Sequence, residues 1–310
     1  MTKLYLITGF LGAGKTTFLS QFSGLFPDRK IALVINEFGA VGVDGTLLRK
    51  LDATLTEINN GSIFCACRIE QFESAIQRIM EENRPDLIFV EASGLADPAE
   101  VRRIFRPGAF PALEYAGAIC LTDAVRFHKV YQTARVCRMQ LAISDLVLIN
   151  KTDAAAREQI DAITSVARAQ KPARPVHETT YGRFDLAWLS EMEQAQTPGD
   201  PSALPEGHLQ DINLQKLTLS VSGFTRQSLE SFLRMFAEDT YRIKGFVDSE
   251  ETMWFVDCVG PLVEIHPFSG NPSEAGQLTV LFGHGLPAKK RIREAIACFP
   301  ECNVNLKRFP

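Results

Sequence analysis

Residues 9–17 read Gly-Phe-Leu-Gly-Ala-Gly-Lys-Thr-Thr, the pattern G-x-x-x-x-G-K-[ST]. The apolar run Leu4-Tyr5-Leu6-Ile7 precedes it and Phe18-Leu19-Ser20-Gln21-Phe22 follows it. The first has the length and make-up of a buried strand, and the second can continue as a helix. Strand, glycine loop and helix in that order predict a phosphate-binding loop. Gly9, Gly12, Ala13 and Gly14 are expected to curl their backbone N–H groups round an anion, where the helix N-terminus adds partial positive charge. Lys15 can reach the β- and γ-phosphates, the Thr16 hydroxyl can ligate Mg²⁺, and Thr17 completes the cradle. A secretory signal is the competing reading, because Lys3 precedes an apolar stretch. Three glycines break that stretch, a lysine ends it, and no small-residue cleavage site follows.

Such a loop belongs on a sheet, and the chain supplies one. Apolar runs at 3–8, 30–35, 86–91, 116–122 and 145–150 alternate with helical stretches at 15–23, 70–82, 97–105, 124–132 and 154–169. Near-continuous apolar strands fit a parallel sheet covered on both faces, and the alternation predicts a doubly wound α/β domain over residues 1–190. A Pro- and Gly-rich stretch then marks a linker over 191–212. Residues 213–310 are expected to form a smaller α+β domain. Its strands would lie at 214–221, 241–247, 252–259, 261–267 and 277–282, and its helices at 227–237 and 288–298. At 310 residues and 45% hydrophobic, the chain can bury such cores. Net charge is −4 without a basic stripe, which argues against nucleic acid, and no long apolar run predicts a membrane span. Seven cysteines, an odd number and widely spread, suit free thiols in a reducing cytoplasm.

Ligands of doubly wound sheets sit at the C-terminal ends of strands, and four further motifs fall at or beside such ends. Asn150-Lys151-Thr152-Asp153 is N-K-x-D, a guanine reader. The Asp153 carboxylate accepts from guanine N1–H and the 2-amino group, Asn150 braces the loop, and the Lys151 stem lies along the base. Adenine lacks that donor pair and is penalised. The plainer alternative is a polar turn with Asp153 as a helix N-cap. Phe89-Val90-Glu91-Ala92-Ser93-Gly94 puts an acid at the end of an apolar strand. Glu91 can hold Mg²⁺ through water and Gly94 can offer its N–H to the γ-phosphate, although a glutamate can also simply end a strand. Asn36-Glu37-Phe38-Gly39, with Asp44 behind it, follows the second strand, where a γ-phosphate-sensing switch is expected. Glu37 or Asp44 can contact metal or position water, and each can equally be a solvated loop acid.

Cys65-Ala66-Cys67 sets two thiols at C-x-C spacing. Thiolates suit Zn²⁺ or Cu(I), but two cannot complete a four-ligand site, so further ligands would come from Glu37, another loop or a second subunit. Two buried cysteines or a redox pair are the alternatives. Cys298 and Cys302 read as structural. The five histidines are scattered, and each reads as a surface or satisfied residue. His177 is the exception, expected beyond a strand over 174–176, where the base-side loop should fall.

Together, GFLGAGKTT, INEFGAVGVD, the cysteine loop, VEASGLADP and NKTD, in this order, resemble the CobW-type metallochaperone GTPases of the CobW/HypB/UreG superfamily. The resemblance runs through nearly the whole chain. It implies a P-loop G domain, slow GTP hydrolysis with Mg²⁺, and delivery of a transition metal such as Zn²⁺ or Co²⁺ to a client metalloenzyme. It also implies Lys15 and Thr16 on phosphate and Mg²⁺, Glu37 in the first switch, Glu91 and Gly94 in the Walker B region, and Asn150, Lys151 and Asp153 on guanine. Lys15, Glu37 and Glu91 become the catalytic candidates. Thr16, Glu37, Glu91, Cys65 and Cys67 become the metal candidates. Two positions depart from the family pattern. G-C-x-C-C is replaced by Gly61-Ser62-Ile63-Phe64-Cys65, with Cys67 two residues on, and Ala40 stands where the switch usually carries an acid. A GTP-gated assembly factor with no metal cargo, for example for a corrinoid-dependent enzyme, is the second expectation, and a homodimer is compatible with both. A small-molecule P-loop kinase would lack a use for NKTD.

Overall fold

The computed structural model describes residues 1–36, 54–58, 69–92, 94, 110, 112–195, 214–249, 252–270, 272 and 275–307. The expected switch (Glu37, Ala40, Asp44), Cys65, Cys67 and the helix at 97–105 lie outside them. The chain forms two compact units, Met1–Gln210 and Asp211–Pro310.

The first unit holds a seven-stranded sheet in the order β3-β2-β4-β1-β5-β6-β7, with every pairing parallel. The strands are β1 (Thr2–Gly9), β2 (Ile31–Asn36), β3 (Thr54–Ile58), β4 (Leu87–Glu91), β5 (Leu113–Asp123), β6 (Leu146–Asn150) and β7 (Val176–Glu178). Its helices are α1 (Lys15–Ser23), α2 (Ile69–Glu82), α3 (Phe127–Thr133), α4 (Arg135–Ile143), α5 (Arg157–Gln170) and α6 (Ala187–Ala195). All residues of β4 and β6 are buried, as apolar runs covered on both faces require. One core packs Leu4, Leu6, Val34, Ile76, Ile88 and Val90, and the other packs Ile7, Phe18, Phe22, Leu33, Phe89 and Leu148. The chain passes from β1 to β2 on one side, then returns from β4 across β1 to β5 on the other. The strand order therefore reverses at β1, and the loops leaving it there open a crevice.

Several elements differ from expectation. The helix expected at 124–132 runs from Phe127 to Thr133 as α3, because residues 124–126 form a turn under the Asp123 carboxylate and Ala134 is extended at φ −114°, ψ 110°; α4, at Arg135–Ile143, follows as a helix with no expected counterpart. Neither break carries a Gly or Pro signal. Helix α5 begins three residues late, behind a 3₁₀ turn at Thr152–Ala154, with the Gln159 side chain accepting from Ala156 N–H. Strands β3 and β7 are short and lie towards the sheet margins, where little apolar periodicity is needed.

The second unit is an antiparallel sheet, β11-β10-β9-β12-β8-β13, with β8 (Leu214–Ser222), β9 (Arg242–Ser249), β10 (Thr252–Val259), β11 (Leu262–Phe268), β12 (Gln277–Gly283) and β13 (Asn303–Lys307). Leu229, Phe232 and Leu233 of α7 (Arg226–Arg234) and Ile292 and Ala295 of α8 (Ala288–Cys298) pack onto Leu219, Val256, Leu278 and Val280 of that sheet. The last strand, β13, was not expected from sequence. It is five residues long and pairs with β8. Among the described residues no helix is long and apolar enough to cross a membrane.

Candidate functional site

The phosphate end is built by one continuous segment. Gly9 (φ 138°), Gly12 (φ 76°) and Gly14 (φ 94°) all adopt positive φ. At Gly9 a Cβ would lie 2.3 Å from the Leu121 carbonyl oxygen, so the loop can leave β1 against β5 only without a side chain. Gly14 caps α1, and the Lys15 ammonium folds back to donate to the Gly9 carbonyl at 3.0 Å. Ala13 N–H donates to the Phe10 carbonyl, which tightens the turn. Thr16 and Thr17 occupy the first turn of α1 with Lys15.

Glu91, the last residue of β4, is buried and faces α1. The Thr16 hydroxyl lies 3.5 Å from its Oε2. Gly94 sits directly on the loop: a Cβ there would be 2.8 Å from Leu11 N. The buried Gln140 side chain of α4 donates to the Gly94 carbonyl at 3.1 Å and fixes the start of this turn.

The base end is assembled from three strand ends. Asn150, at the end of β6, donates from Nδ2 to the Ala13 carbonyl (2.9 Å) and accepts at Oδ1 from Gly182 N–H (3.1 Å). It therefore ties the phosphate loop to the turn after β7. Lys151 is left-handed (φ 62°), and its ammonium pairs at 2.7 Å with Asp123, the buried last residue of β5. The other oxygen of Asp123 accepts from Val125 and Arg126 N–H. The Thr152 hydroxyl donates to the Thr179 carbonyl (3.1 Å), and the Thr179 hydroxyl donates to the Arg183 carbonyl (2.7 Å). Asp153 sits exposed on the 3₁₀ turn, its carboxylate without a hydrogen-bond or ion-pair partner among the described residues.

Gly9, Gly12, Ala13, Gly14, Lys15, Thr16, Thr17, Glu91 and Gly94 thus gather round the phosphate loop, and Asn150 joins that loop to the turn that carries Lys151 and Asp153. His177 does not join them. It lies inside β7 rather than beyond a strand ending at 176; its ring stacks on Trp188 of α6 (4.4 Å, 6°), and its Nε2 meets Glu191 at 2.8 Å. The turn that meets Asn150 and Thr152 is residues 179–182 instead. Sequence reasoning also passed over Asp123 and Gln140. Asp123 ends an apolar strand just as Glu91 and Asn150 do, and Gln140 is the polar member of the buried helical stripe Val136, Cys137, Gln140, Leu141. Both signals were present.

Cys120 and Cys137 lie beneath the loop, buried and unbridged. Burial pushes the Cys120 thiol up to about 12, against the opposing pull of Arg174 and Lys15. Burial also raises Cys137 strongly, reinforced by Cys120. Such thiols stay protonated and are poor metal ligands. Among the described residues no group of three His, Cys, Asp or Glu is arranged to hold a metal ion.

A parallel sheet with its order reversed at β1, a glycine loop capping α1, and a buried acid opposite the Thr16 hydroxyl define a P-loop nucleotide-binding protein. The chain belongs to the CobW/HypB/UreG family, whose nucleotide-binding domain matches residues 3–178. The zinc chaperone YeiR of Escherichia coli K12 is 29% identical over 267 residues, 84% of this chain and 78% of that protein. The zinc chaperone YjiA of the same organism is 32% identical over 191 residues, 59% of each chain. The Zn(II)-bound crystal structure of the YjiA GTPase from E. coli superposes at a TM-score of 0.47 with 23% identity, over 96% of this chain and 98% of that one.

Proposed function

We propose that this chain is a slow GTPase that uses GTP binding and hydrolysis to deliver a transition metal to a client protein. The observation that carries the GTP reading is the Asn150 clamp: one side chain bonded to both Ala13 and Gly182 holds the N-K-x-D turn and the phosphate loop at a fixed separation. A base held by Asp153 and a triphosphate held by Gly12–Thr17 are then recognised as one molecule. With its hydrogen bonds unspent, Asp153 suits the N1–H and 2-amino donors of guanine; against adenine that carboxylate would be left unpaired.

Hard oxygens at Thr16 and Glu91 suit Mg²⁺, Thr16 as a direct ligand and Glu91 through water. Bound there, Mg²⁺ supplies positive charge to the β- and γ-phosphate oxygens. The Lys15 ammonium, now on the Gly9 carbonyl, needs only a side-chain rotation to reach the same oxygens. Glu37 is assigned to the switch, where it would position water or metal. No strong general base stands out in the sequence, so turnover should be slow. The Gly94 N–H would register the γ-phosphate, and its carbonyl bond to Gln140 would pass that state to α4.

Metal cargo is assigned to the Cys65–Cys67 loop. The zinc chaperone relatives support this, and thiolates at C-x-C spacing are donors suited to such a metal. The shifted spacing of those two thiols favours the second reading, an assembly factor gated by GTP without cargo. Titrating Co²⁺ and Zn²⁺ into the full chain, with and without GTP, separates the two. Thiolate-to-metal absorption that strengthens with GTP and disappears in Cys65→Ser supports delivery. Absence of binding in every nucleotide state gives the assembly role.

A further inference from the structure

The turn over residues 179–182 carries an exposed aromatic side chain, Tyr181. Tyr181 has φ 55°, and with Arg84 and Lys151 it is one of three non-glycine residues at positive φ among those described. A left-handed backbone is costly for a bulky side chain, and glycine, asparagine or aspartate would adopt it more readily. Nor can the turn relax to remove the strain. Thr179 N–H donates to the Ile149 carbonyl, Arg183 N–H donates to the Thr180 carbonyl, and Gly182 N–H is held by Asn150. Gly182 is also pressed on α1, where a Cβ would lie 2.7 Å from Phe18 Cα. The strain is therefore over-determined by its surroundings, a condition found at ligand clamps.

The strained residue presents a ring to solvent. Tyr181 is 66% exposed, and it is the only exposed Phe, Tyr or Trp among the described residues. Trp188 and Phe184, close by in sequence, are packed against His177 and against Phe18 and Phe22 respectively. Tyr181 precedes Gly182, the residue that Asn150 holds, in the turn whose Thr179 carbonyl accepts from Thr152, so it lies in the turn bonded to N-K-x-D. A flat π-surface at that place matches the face of a purine, whereas Asp153 addresses only its edge.

We propose that Tyr181 is the stacking residue for the nucleotide base: its ring covers one face of the bound purine while Asp153 reads the edge. The proposal rests on the guanine-nucleotide reading above and adds a second base contact to it. Aromatic stacking contributes affinity without sequence-type selectivity, because every base has a π-face. Tyr181 should therefore strengthen binding of GDP and ADP alike, with discrimination left to Asp153.

The test uses the full chain and the variants Tyr181→Asn and Tyr181→Phe, with GDP and inorganic tripolyphosphate as probes. Asparagine tolerates the left-handed backbone, so Tyr181→Asn removes the ring and spares the fold; its melting temperature should equal or exceed that of the parent. Calorimetry should show GDP binding about tenfold weaker in Tyr181→Asn, within twofold of the parent in Tyr181→Phe, and tripolyphosphate binding the same in all three. GDP binding undiminished in Tyr181→Asn overturns the proposal and leaves the GTPase reading standing. Equal weakening for GDP and tripolyphosphate also overturns it, since the residue would then act only through the turn. A parent protein that binds tripolyphosphate but no guanine nucleotide overturns the GTPase reading itself and this proposal with it.

Discussion

The phosphate loop and the N-K-x-D junction, the two ends of the candidate site, are built in opposite ways. The phosphate end is one stretch of backbone, residues 9–16, held by three glycines at positive φ and by the Lys15 ammonium on the Gly9 carbonyl. The base end is a junction of β5, β6 and β7, made by side chains: Asp123 on Lys151, Asn150 on Gly182, Thr152 on Thr179. An anion grip can be written locally because its donors are N–H groups that every residue has. Reading a base requires an acceptor at a set position, which here depends on contacts between residues far apart in the chain. Asn150 joins the two modes, through a bond to the Ala13 carbonyl.

Breaking the phosphate end should have the largest effect. Lys15→Ala is expected to slow GTP hydrolysis about 10²- to 10³-fold, the range for loss of one charge-stabilising donor, and to leave the ratio of GDP to ADP affinity intact. Phosphate release assays and competition binding check the two halves of that statement. Asp153→Asn should do the reverse. It is expected to reduce the preference for guanine over adenine by about tenfold or more, from roughly 1–3 kcal/mol of lost or mismatched hydrogen bonding, as measured by competition between GDP and ADP. If Lys15→Ala altered selectivity as much as Asp153→Asn, the division of labour would be wrong.

Gly14→Ala tests the link between the ends. Its Cβ would fall 2.5 Å from Asn150 Nδ2 and would require φ near 94°. It should lower stability by about 1–3 kcal/mol and weaken GDP binding through both ends at once, seen in urea unfolding with and without GDP. Asp123→Asn is subtler. It removes the buried charge facing Lys151, so GDP binding should weaken severalfold while tripolyphosphate binding holds. The smallest effect concerns the floor beneath the loop. Burial raises the Cys120 thiol from its ordinary 9.0 to about 12. The native chain then keeps a proton that the unfolded chain has lost, so stability is full below about pH 9 and declines as pH rises towards about 12. Urea midpoints across that range should fall less steeply in Cys120→Ala than in the parent.

The contrast between the ends also explains what the sequence revealed. GFLGAGKTT was legible because the phosphate loop is local: strand, glycines and helix are contiguous, and each glycine answers a steric need found in the fold. The strands at 87–91 and 146–150 were legible because burial on both faces forces unbroken apolar runs. The base end was only half legible. N-K-x-D announced itself and Asp123 was signalled as the acid ending an apolar strand, but the support from Thr179–Gly182 acts through tertiary hydrogen bonds that leave no local period. His177 was placed on the base by its position near a strand end, whereas Trp188 and Glu191, on a helix the sequence reading did not anticipate, hold its ring. The late start of α3 at Phe127 has a related cause, since a carboxylate over a turn replaces the usual Gly or Pro.

The central claim is that the Asp153 carboxylate selects the base of a nucleotide gripped at Lys15. Calorimetric titration of the full chain with GDP and with ADP, each with Mg²⁺, tests it most directly. The account predicts that GDP binds and that ADP binds at least tenfold more weakly; equal affinity for the two, or heat from neither, would contradict it.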